Sequence, residues 1–477
     1  MPKISNMFLG SNHRISSTLL FLFLFVNGLV FINASLHSPF VGYDMDGHAT
    51  NVRKLSKLNW PISSESSEFF SPPLPYVIPA IAFAFGQNLW WALKIGQLCN
   101  VLLSLGTTYY LLRVCENASP GQIQVKIFAL SLLGMLPAYY KTFSQMRGEP
   151  YLLFLALVTT EFTARLFIHK EFGFCNTILL GLGLGTLVLA RQWGFFVFPG
   201  VFLCGLSMAV ANDKNRVQII KALSFAAAIA GLIGGGFYLY LFNQYGTILA
   251  FNRPAESEPK PLSFFFGKGD GKLFTDPVRP TFLQQAFPIL YSEMWGDYHA
   301  YFSVFMIDTR INEYIPGRSL ESESMEKHLS KWAITNRFKI NAYLGRVNLL
   351  SLIPTILFIA GGIYGQICAF QAMRGSNDPQ KIILGLSSNI VTATLLGYLW
   401  FVIRTRSGGP GDTLKATYFL QIFPFLAIQA GILLQKIRAN QILYSLLFIL
   451  IIITIHNLPA MVTLVIEIPG QAKLWSW

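Results

Sequence analysis

Long apolar runs separated by short polar segments extend over most of the chain. A helix that crosses the roughly 30 Å hydrocarbon core of a membrane needs about 20 mostly apolar residues. Segments of this kind lie at about residues 17–36, 89–113, 123–141, 150–169, 174–190, 193–211, 218–242, 346–371, 382–403, 417–435 and 441–463. The pattern therefore predicts an all-α, polytopic transmembrane bundle with about 11 spans.

One apolar stretch, residues 72–87, departs from this pattern. It is only about 15 residues long, too short to span, and it contains Pro72, Pro73, Pro75 and Pro79. We therefore expect an interfacial or re-entrant segment that does not cross the membrane.

Basic residues indicate the orientation of the bundle, because cytoplasmic loops carry an excess of lysine and arginine. With the N-terminus inside and the C-terminus outside, the inner ends collect Lys3, Arg14, Arg113, Lys126, Lys170, Lys214, Arg216, Lys221, Arg374, Lys381, Lys436 and Arg438. Three regions follow from this topology. They are a core at 1–242 with a first outer loop at 37–73, a large outer loop at 243–345 and C-terminal helices at 346–477.

Composition agrees with this class of protein. Apolar residues make up 53% of the 477 residues and charged residues only 12%, whereas a typical soluble domain has about 25% charged residues. The net charge of +13 does not cluster on a soluble face, so we expect no nucleic-acid partner. The five cysteines form no spacing typical of a disulfide framework or a zinc site, and no metal is expected.

The first outer loop contains the sequence Asp44-Met45-Asp46-Gly47-His48, followed by an amphipathic segment at 49–60 that is typical of a helix lying on a membrane surface. Asp44 is either a solvated loop acid or a catalytic carboxylate. For Asp46, a role as the N-cap of the following helix and a role in catalysis are about equally expected. His48 is a candidate substrate contact, although a histidine on a helix face is the more common role.

Two further charged residues are predicted on the outer side. Glu149 follows Arg147 in the turn between the third and fourth spans, so it either pairs with that arginine or shares a site with Asp44. Arg191, between the fifth and sixth spans, is either an arginine snorkelling to the interface or a phosphate contact.

The outer loops offer two more candidate surfaces. The segment 291–299 combines aromatic and acidic residues, and Trp295 and Asp297 could contact a sugar, although an interfacial aromatic belt predicts the same composition. The turn at 404–415 places Arg404, Arg406 and Lys415 among glycines. This turn could bind a phosphate or be an ordinary solvated hairpin.

The order of these features resembles the C-type glycosyltransferase superfamily, in particular its protein O-mannosyltransferase and aminoarabinose-transferase branch. The likeness consists of one span, an outer loop with Asp44 just after it, an amphipathic segment, the stretch Ser-Pro-Pro-Leu-Pro-Tyr at 71–76, two spans and a second outer acid, Glu149. It covers about residues 1–200, and the segment 416–424 is similar to a late span of that family.

The chain also departs from the family pattern. Met45 stands where members carry an acid directly after the first one, and the loop 243–345 has no match. Either Asp44 or Asp46 could therefore correspond to the essential acid. Asp44 is favoured because it directly follows the span, whereas Asp46 has a competing role as a cap.

The resemblance implies a transferase that moves one sugar from a polyprenyl-phosphate carrier to a lipid, glycan or protein acceptor on the outer face of a bacterial inner membrane. It implies inversion at the sugar carbon, no cofactor, and Asp44, Glu149 or Asp46 as the catalytic carboxylates. Arg404, Arg406, Lys415 and Arg191 would bind the donor phosphate. The residues expected to contact substrate are His48, Tyr76, Trp295 and Asp297.

A secondary transporter or a flippase for lipid-linked sugars is the alternative. Many spans and intramembrane glycines also suit alternating access. Transporters, however, usually show paired halves and a buried charge near the midplane, whereas the acids of interest here lie at predicted outer span ends. Glu161 is the exception, and Arg165 one turn later could pair with it.

Overall fold

The structure is a computed structural model that describes residues 16–211, 214–253, 260–267, 269, 271–279, 281–282, 285–303, 331–372, 378–405, 413–437 and 440–463, with only the backbone at 211, 331–340 and 440. Within these ranges the chain forms α-helices and short 3-10 helices, and no strand occurs. The all-α prediction is therefore confirmed.

Seventeen α-helices, numbered here along the chain, make up the described fold. They are α1 Ser17–Leu36, α2 Met45–Leu55, α3 Leu74–Gly86, α4 Leu89–Ala118, α5 Ile123–Gly134, α6 Pro137–Phe143, α7 Glu149–Phe167, α8 Phe174–Ala190, α9 Val197–Ala211, α10 Arg216–Tyr245, α11 Leu262–Phe266, α12 Ala286–Trp295, α13 Lys331–Leu350, α14 Leu352–Ala372, α15 Pro379–Arg404, α16 Ile422–Gln435 and α17 Asn440–Asn457. Four 3-10 helices occur at Gln192–Phe196, Lys272–Phe274, Ala416–Phe419 and Leu458–Met461.

The predicted count of about 11 spans is not confirmed. In the described residues, 8 helices are long and apolar enough to cross a membrane, or up to 9 if the pair α5 and α6, bent by 69°, is one broken span. The break precedes Pro137, whose ring cannot continue the preceding helix. Helices α8 and α16 are apolar but have only 17 and 14 residues, so they fall short of the length required.

The bundle has polar contacts between helices within an apolar core, and its surface is apolar as well. Asn27 of α1 donates to Thr108 of α4 at 3.0 Å, and Ser104 donates to Asn27 at 2.8 Å. Large apolar side chains point outward instead, and Phe21 and Leu232 are 65% and 84% exposed. Polar contacts between helices and exposed apolar faces are expected of a protein whose solvent is lipid.

The helix after the first span differs from its prediction. It begins at Met45 rather than near residue 49, and its N-cap is Asp44, whose side chain makes no capping bond. Asp46 lies inside the helix and is exposed, so the expected N-cap role of Asp46 is wrong. Val52 is fully buried, but Leu58, which also belongs to the segment predicted to be amphipathic, lies beyond the helix end and is 94% exposed.

Candidate active site

Four charged residues that are far apart in the sequence meet at one end of the bundle. Asp44 at the start of α2 forms an ion pair with Lys415, which precedes the 3-10 helix at Ala416–Phe419. Glu149 at the start of α7 forms an ion pair with Arg191, which follows α8. The structure thus brings together four residues that the sequence predicted on one side of the membrane.

Asp44 is held in an unusual backbone conformation. Its φ of 55° and ψ of 28° lie in the left-handed region, which few residues other than glycine adopt and which aspartate tolerates better than most. Strained conformations of this kind concentrate at functional sites. Burial alone would raise the pKa of Asp44, but the Lys415 ammonium outweighs it and holds that pKa well below its usual value.

Glu149 lies beneath this pair in a buried cluster. Arg147 contacts both carboxylate oxygens of Glu149, with Nε at 2.6 Å and Nη2 at 2.8 Å, and Arg191 Nε lies 3.2 Å from Oε1. Glu149 is fully buried, so its pair with Arg147 is not the solvated surface pair considered from the sequence. A Cβ on Gly148 would come within 2.2 Å of the Ala190 carbonyl oxygen, so only glycine permits this approach of Arg191 to Glu149.

Glu68 is a site residue that sequence reasoning missed. Its carboxylate accepts a hydrogen bond from Arg191 Nη1 at 3.0 Å and another from the Ser71 hydroxyl, and it is 1% exposed. The segment that carries it packs on α2, where Asn51 donates to the Glu68 carbonyl at 2.9 Å. Burial raises the pKa of Glu68 more than Arg191 lowers it, so Glu68 and Asp44 are shifted in opposite directions.

A polar cavity of about 70 Å³ opens beside Asp44. Its lining combines both signs of charge with aromatic rings: Tyr43, Asp44, Glu68, Phe251, Asn252, Arg253, Arg279, His299, Tyr301, Thr413, Lys415 and Tyr418. The Lys415 ammonium lies 5.1 Å from the centre of the Tyr43 ring and 5.5 Å from that of Tyr418. Aromatic faces therefore orient the cation that pairs with Asp44.

His48 and Tyr76, two predicted substrate contacts, bind each other. His48 Nδ1 lies 2.7 Å from the Tyr76 hydroxyl, and both side chains are 1% exposed. Burial, together with Arg191 and Arg147, lowers the pKa of His48 to about 3, so its imidazole is neutral at physiological pH. Neither residue lines the cavity beside Asp44.

Trp295 and Asp297 do not form the exposed sugar-stacking surface considered from the sequence. Trp295 is fully buried and donates from its indole to Thr355 at 2.9 Å. Asp297 is 1% exposed and accepts backbone N–H bonds from Tyr301, Phe302 and Ser303. An aromatic side chain with no exposed face cannot stack on a pyranose, so this segment anchors the loop instead.

The same segment is fastened to the bundle by a buried lysine. Lys141 of α6 forms an ion pair with Glu293 and lies 3.6 Å from an Asp297 carboxylate oxygen. All three side chains are fully buried or nearly so. These contacts place His299 and Tyr301 in the wall of the cavity.

The predicted phosphate-binding residues have different locations. Lys415 is buried and lines the cavity, whereas Arg404, the last residue of α15, is exposed and does not. Arg406 lies outside the described residues. Arg191 is 3% exposed and is already bound to two carboxylates, so it supports the site from behind.

An apolar groove lies near the polar cavity, and Tyr398 of its lining donates a hydrogen bond to the carbonyl of Thr413 in the cavity lining. It has a volume of about 670 Å³ and is lined by the residues Phe265, Phe266, Leu273, Ala286, Phe287, Pro288, Leu290, Tyr291, Met294, Leu352, Ile359, Leu395, Tyr398, Leu399, Val402 and Phe419. Tyr418 lines the cavity, while Phe419, the next residue of the same 3-10 helix, lines the groove. In the part of the chain that the structure describes, no group of three or more His, Cys, Asp or Glu residues could hold a metal ion.

Comparison with known proteins gives matches among solved structures alone, since no protein-family model and no curated protein matches the sequence. ArnT from Cupriavidus metallidurans in the apo state is 12% identical, with a TM-score of 0.46, over 90% of this chain and 62% of that one. The same protein bound to undecaprenyl phosphate is 13% identical, with a TM-score of 0.38, over 87% of this chain and 77% of that one.

A second matched protein is the archaeal oligosaccharyltransferase AglB from Archaeoglobus fulgidus, in complex with an inhibitory peptide and a dolichol-phosphate. It is 12% identical, with a TM-score of 0.48, over 94% of this chain and 56% of that one. The chain thus spans 56% to 77% of the length of these matched structures.

Proposed function

We propose that the chain is an inverting glycosyltransferase that moves a sugar from a polyprenyl-phosphate carrier to an acceptor hydroxyl on the outer face of a bacterial inner membrane. The observation that carries this proposal is the Asp44 and Lys415 pair in a polar cavity beside an apolar groove. A donor with a charged phosphate and an isoprenoid tail needs these two environments side by side.

Lys415 and Asp44 would have complementary roles. When Lys415 binds the donor phosphate, Asp44 loses the cation that holds its pKa down, and burial then makes its carboxylate a stronger base. The acceptor oxygen attacks the anomeric carbon, the bond from that carbon to the phosphate oxygen breaks, and the electron pair leaves with the phosphate. The acceptor proton passes to Asp44. Because phosphate is a good leaving group, no general acid is required.

The basic residues at the ends of the spans support this orientation. The cavity end carries the acids Asp44, Glu68 and Glu149, and the basic residues Lys415, Arg191 and Arg147 there are the ion-pair partners of these acids. The other ends of the spans carry the basic residues Arg113, Lys126, Lys170, Lys214, Arg216, Lys221, Lys381 and Lys436, against the acids Glu116, Glu171 and Asp378. The excess of lysine and arginine in these short connections favours a cavity that faces the outside.

The test compares two acids that are two residues apart. Removal of a general base typically lowers turnover by a factor of about 10² to 10⁴, so Asp44→Asn is expected to lose nearly all transfer while it stays folded. Asp46→Asn, at an exposed position of the same helix, is the matched control and should keep parental turnover. Turnover is measured with purified protein and a synthetic polyprenyl-phosphate sugar. Equal activity of the two variants would refute Asp44 as the base.

A further inference from the structure

Two buried hydroxyl groups in the wall of the cavity take part in none of the hydrogen bonds described above. Tyr43 Oη and Thr413 Oγ1 have no hydrogen-bond partner among the described residues, and their side chains are 2% and 4% exposed. Buried polar groups in folded proteins are nearly always hydrogen-bonded, because an unsatisfied one destabilises the fold. An orphaned hydroxyl in a cavity wall therefore points to a bound group that supplies the missing partner.

Both hydroxyls are rigidly held next to the central ion pair. Tyr43 directly precedes Asp44, and its ring packs edge-on against His299 and Tyr301, with centroids 5.4 Å and 4.9 Å away. Thr413 lies two residues before Lys415, and its carbonyl accepts a hydrogen bond from the Tyr398 hydroxyl at 3.4 Å.

The charges around these hydroxyls indicate what they bind. Lys415, Arg253 and Arg279 line the same cavity and favour an anion. Phosphate oxygens only accept hydrogen bonds, and a hydroxyl near cations can supply the donors that they need. A sugar or acceptor hydroxyl would instead be drawn to the carboxylates of Asp44 and Glu68 on the same wall.

We propose that Tyr43 and Thr413 donate hydrogen bonds to the phosphate of the donor lipid and act as its binding residues. This inference rests on the proposed function, because it takes a polyprenyl phosphate as the ligand. It adds two neutral hydrogen-bond donors to a phosphate site that already contains the cation of Lys415. Neither residue was singled out by charge or by motif in the sequence.

The inference makes a double prediction for Tyr43→Phe and Thr413→Val. Each variant removes an unsatisfied buried group, so the unliganded protein should have an unfolding midpoint equal to or above that of the parent. The affinity for undecaprenyl phosphate, a carrier without sugar, should fall about 10-fold or more, because a hydrogen bond to a charged group is lost. Opposite changes in stability and binding are not expected of a merely structural hydroxyl.

Two control variants separate a ligand contact from packing. Thr394 Oγ1 is also buried and without a partner among the described residues, but Thr394 does not line the cavity, so Thr394→Val should leave carrier affinity unchanged. Tyr140 donates to the Gly134 carbonyl at 2.6 Å, so Tyr140→Phe should lower the unfolding midpoint and leave affinity unchanged.

Carrier binding in detergent, measured for the parent and the four variants, decides the question. Parental affinity in Tyr43→Phe and Thr413→Val would overturn the inference, and so would a change confined to the KM of the acceptor. Inorganic phosphate serves as competitor and should displace the carrier from the parent at high concentration. A parent that binds no polyprenyl phosphate would refute the proposed function itself, which is a different result from variants that bind as the parent does.

Discussion

The two ends of α7 carry the same chemistry in different surroundings. Glu149 at the first residue and Glu161 about 18 Å further along the helix are both fully buried carboxylates. Glu149 contacts Arg147 at 2.6 Å and Arg191 at 3.2 Å. Glu161 contacts Arg113 and Arg165 at the same distances, 2.6 Å and 3.2 Å. Composition and pairing alone do not distinguish these clusters.

Their connections distinguish them. The arginine side chains at Glu161 are 11% and 22% exposed, whereas Arg147 and Arg191 at Glu149 are 1% and 4% exposed. Arg191 also joins Glu149 to Glu68, which lines the cavity beside Asp44. The residues that contact Glu161 do not line that cavity.

A buried ion pair is therefore not by itself a sign of a functional site. At the Glu161 end, charges from α4 and α7 hold two helices together, and the arginine side chains are partly exposed. At the Glu149 end, the same chemistry is buried and is joined through Arg191 to Glu68 in the wall of the cavity. What connects Glu149 to the candidate site is a series of contacts that runs through Arg191 and Glu68 to the cavity.

The largest difference between the two ends is expected when each carboxylate is neutralised. Glu149→Gln leaves Arg147 buried without a counter-charge and Arg191 with Glu68 as its single acidic partner, and breaking a buried pair costs about 3 to 5 kcal/mol. The folded fraction should also lose most turnover, because Arg191 is no longer fixed by Glu149 and positions Glu68 less precisely. Glu161→Gln should cost less stability, since its arginines can turn toward water, and its folded fraction should keep parental turnover.

Unfolding midpoints in detergent and turnover per folded molecule test this pair of variants. If Glu161→Gln loses as much turnover as Glu149→Gln, the two clusters act alike and the distinction drawn between them is wrong. If Glu149→Gln loses only stability, its cluster is a helix anchor like the other one.

A smaller effect is expected at Lys415, the cation of the cavity end. In the unliganded parent the pKa of Asp44 is depressed, so its carboxylate is ionised and gives no acid limb to the profile of kcat/KM, which reports the free enzyme, between about pH 5 and pH 8. Without the cation, burial raises that pKa, so the fraction of ionised Asp44 falls as the pH is lowered. Lys415→Met should therefore lower turnover and give the kcat/KM profile an acid limb at higher pH than in the parent.

Arg404 provides the control for this experiment, because it is a cation at the end of α15 that is exposed and lies outside the cavity lining. Arg404→Met should leave both turnover and the pH profile as in the parent. Superimposable profiles for Lys415→Met and the parent would show that Lys415 does not set the pKa of Asp44.

Much of the fold could be predicted from the sequence, because apolar runs determine where helices form. The lengths were harder to predict. Apolar composition continues through the bend before Pro137 and through the 3-10 helix before α16, so both segments had the appearance of single spans. Hydropathy records which residues avoid water, but it does not record where the helix axis changes direction.

The site was predictable only where a motif marked it. Asp44, Glu149 and Lys415 were singled out by their positions near span ends, and in the structure Asp44 pairs with Lys415 while Glu149 pairs with Arg191. Glu68 and Lys141 were missed because their roles depend on partners 123 and 152 residues away, Arg191 and Glu293. The predicted sugar contact of Trp295 was wrong, because sugar-stacking surfaces and buried anchors use the same aromatic residues.

Mass spectrometry of the lipids that co-purify with the protein, before and after addition of candidate acceptors, distinguishes a transferase from a flippase. For a transferase we expect a polyprenyl-phosphate sugar that converts to polyprenyl phosphate as the acceptor gains the sugar, and the same lipid unchanged in Asp44→Asn. A lipid-linked sugar that is released intact or moved across vesicles without cleavage of its bond to phosphate would contradict a transferase and support a flippase.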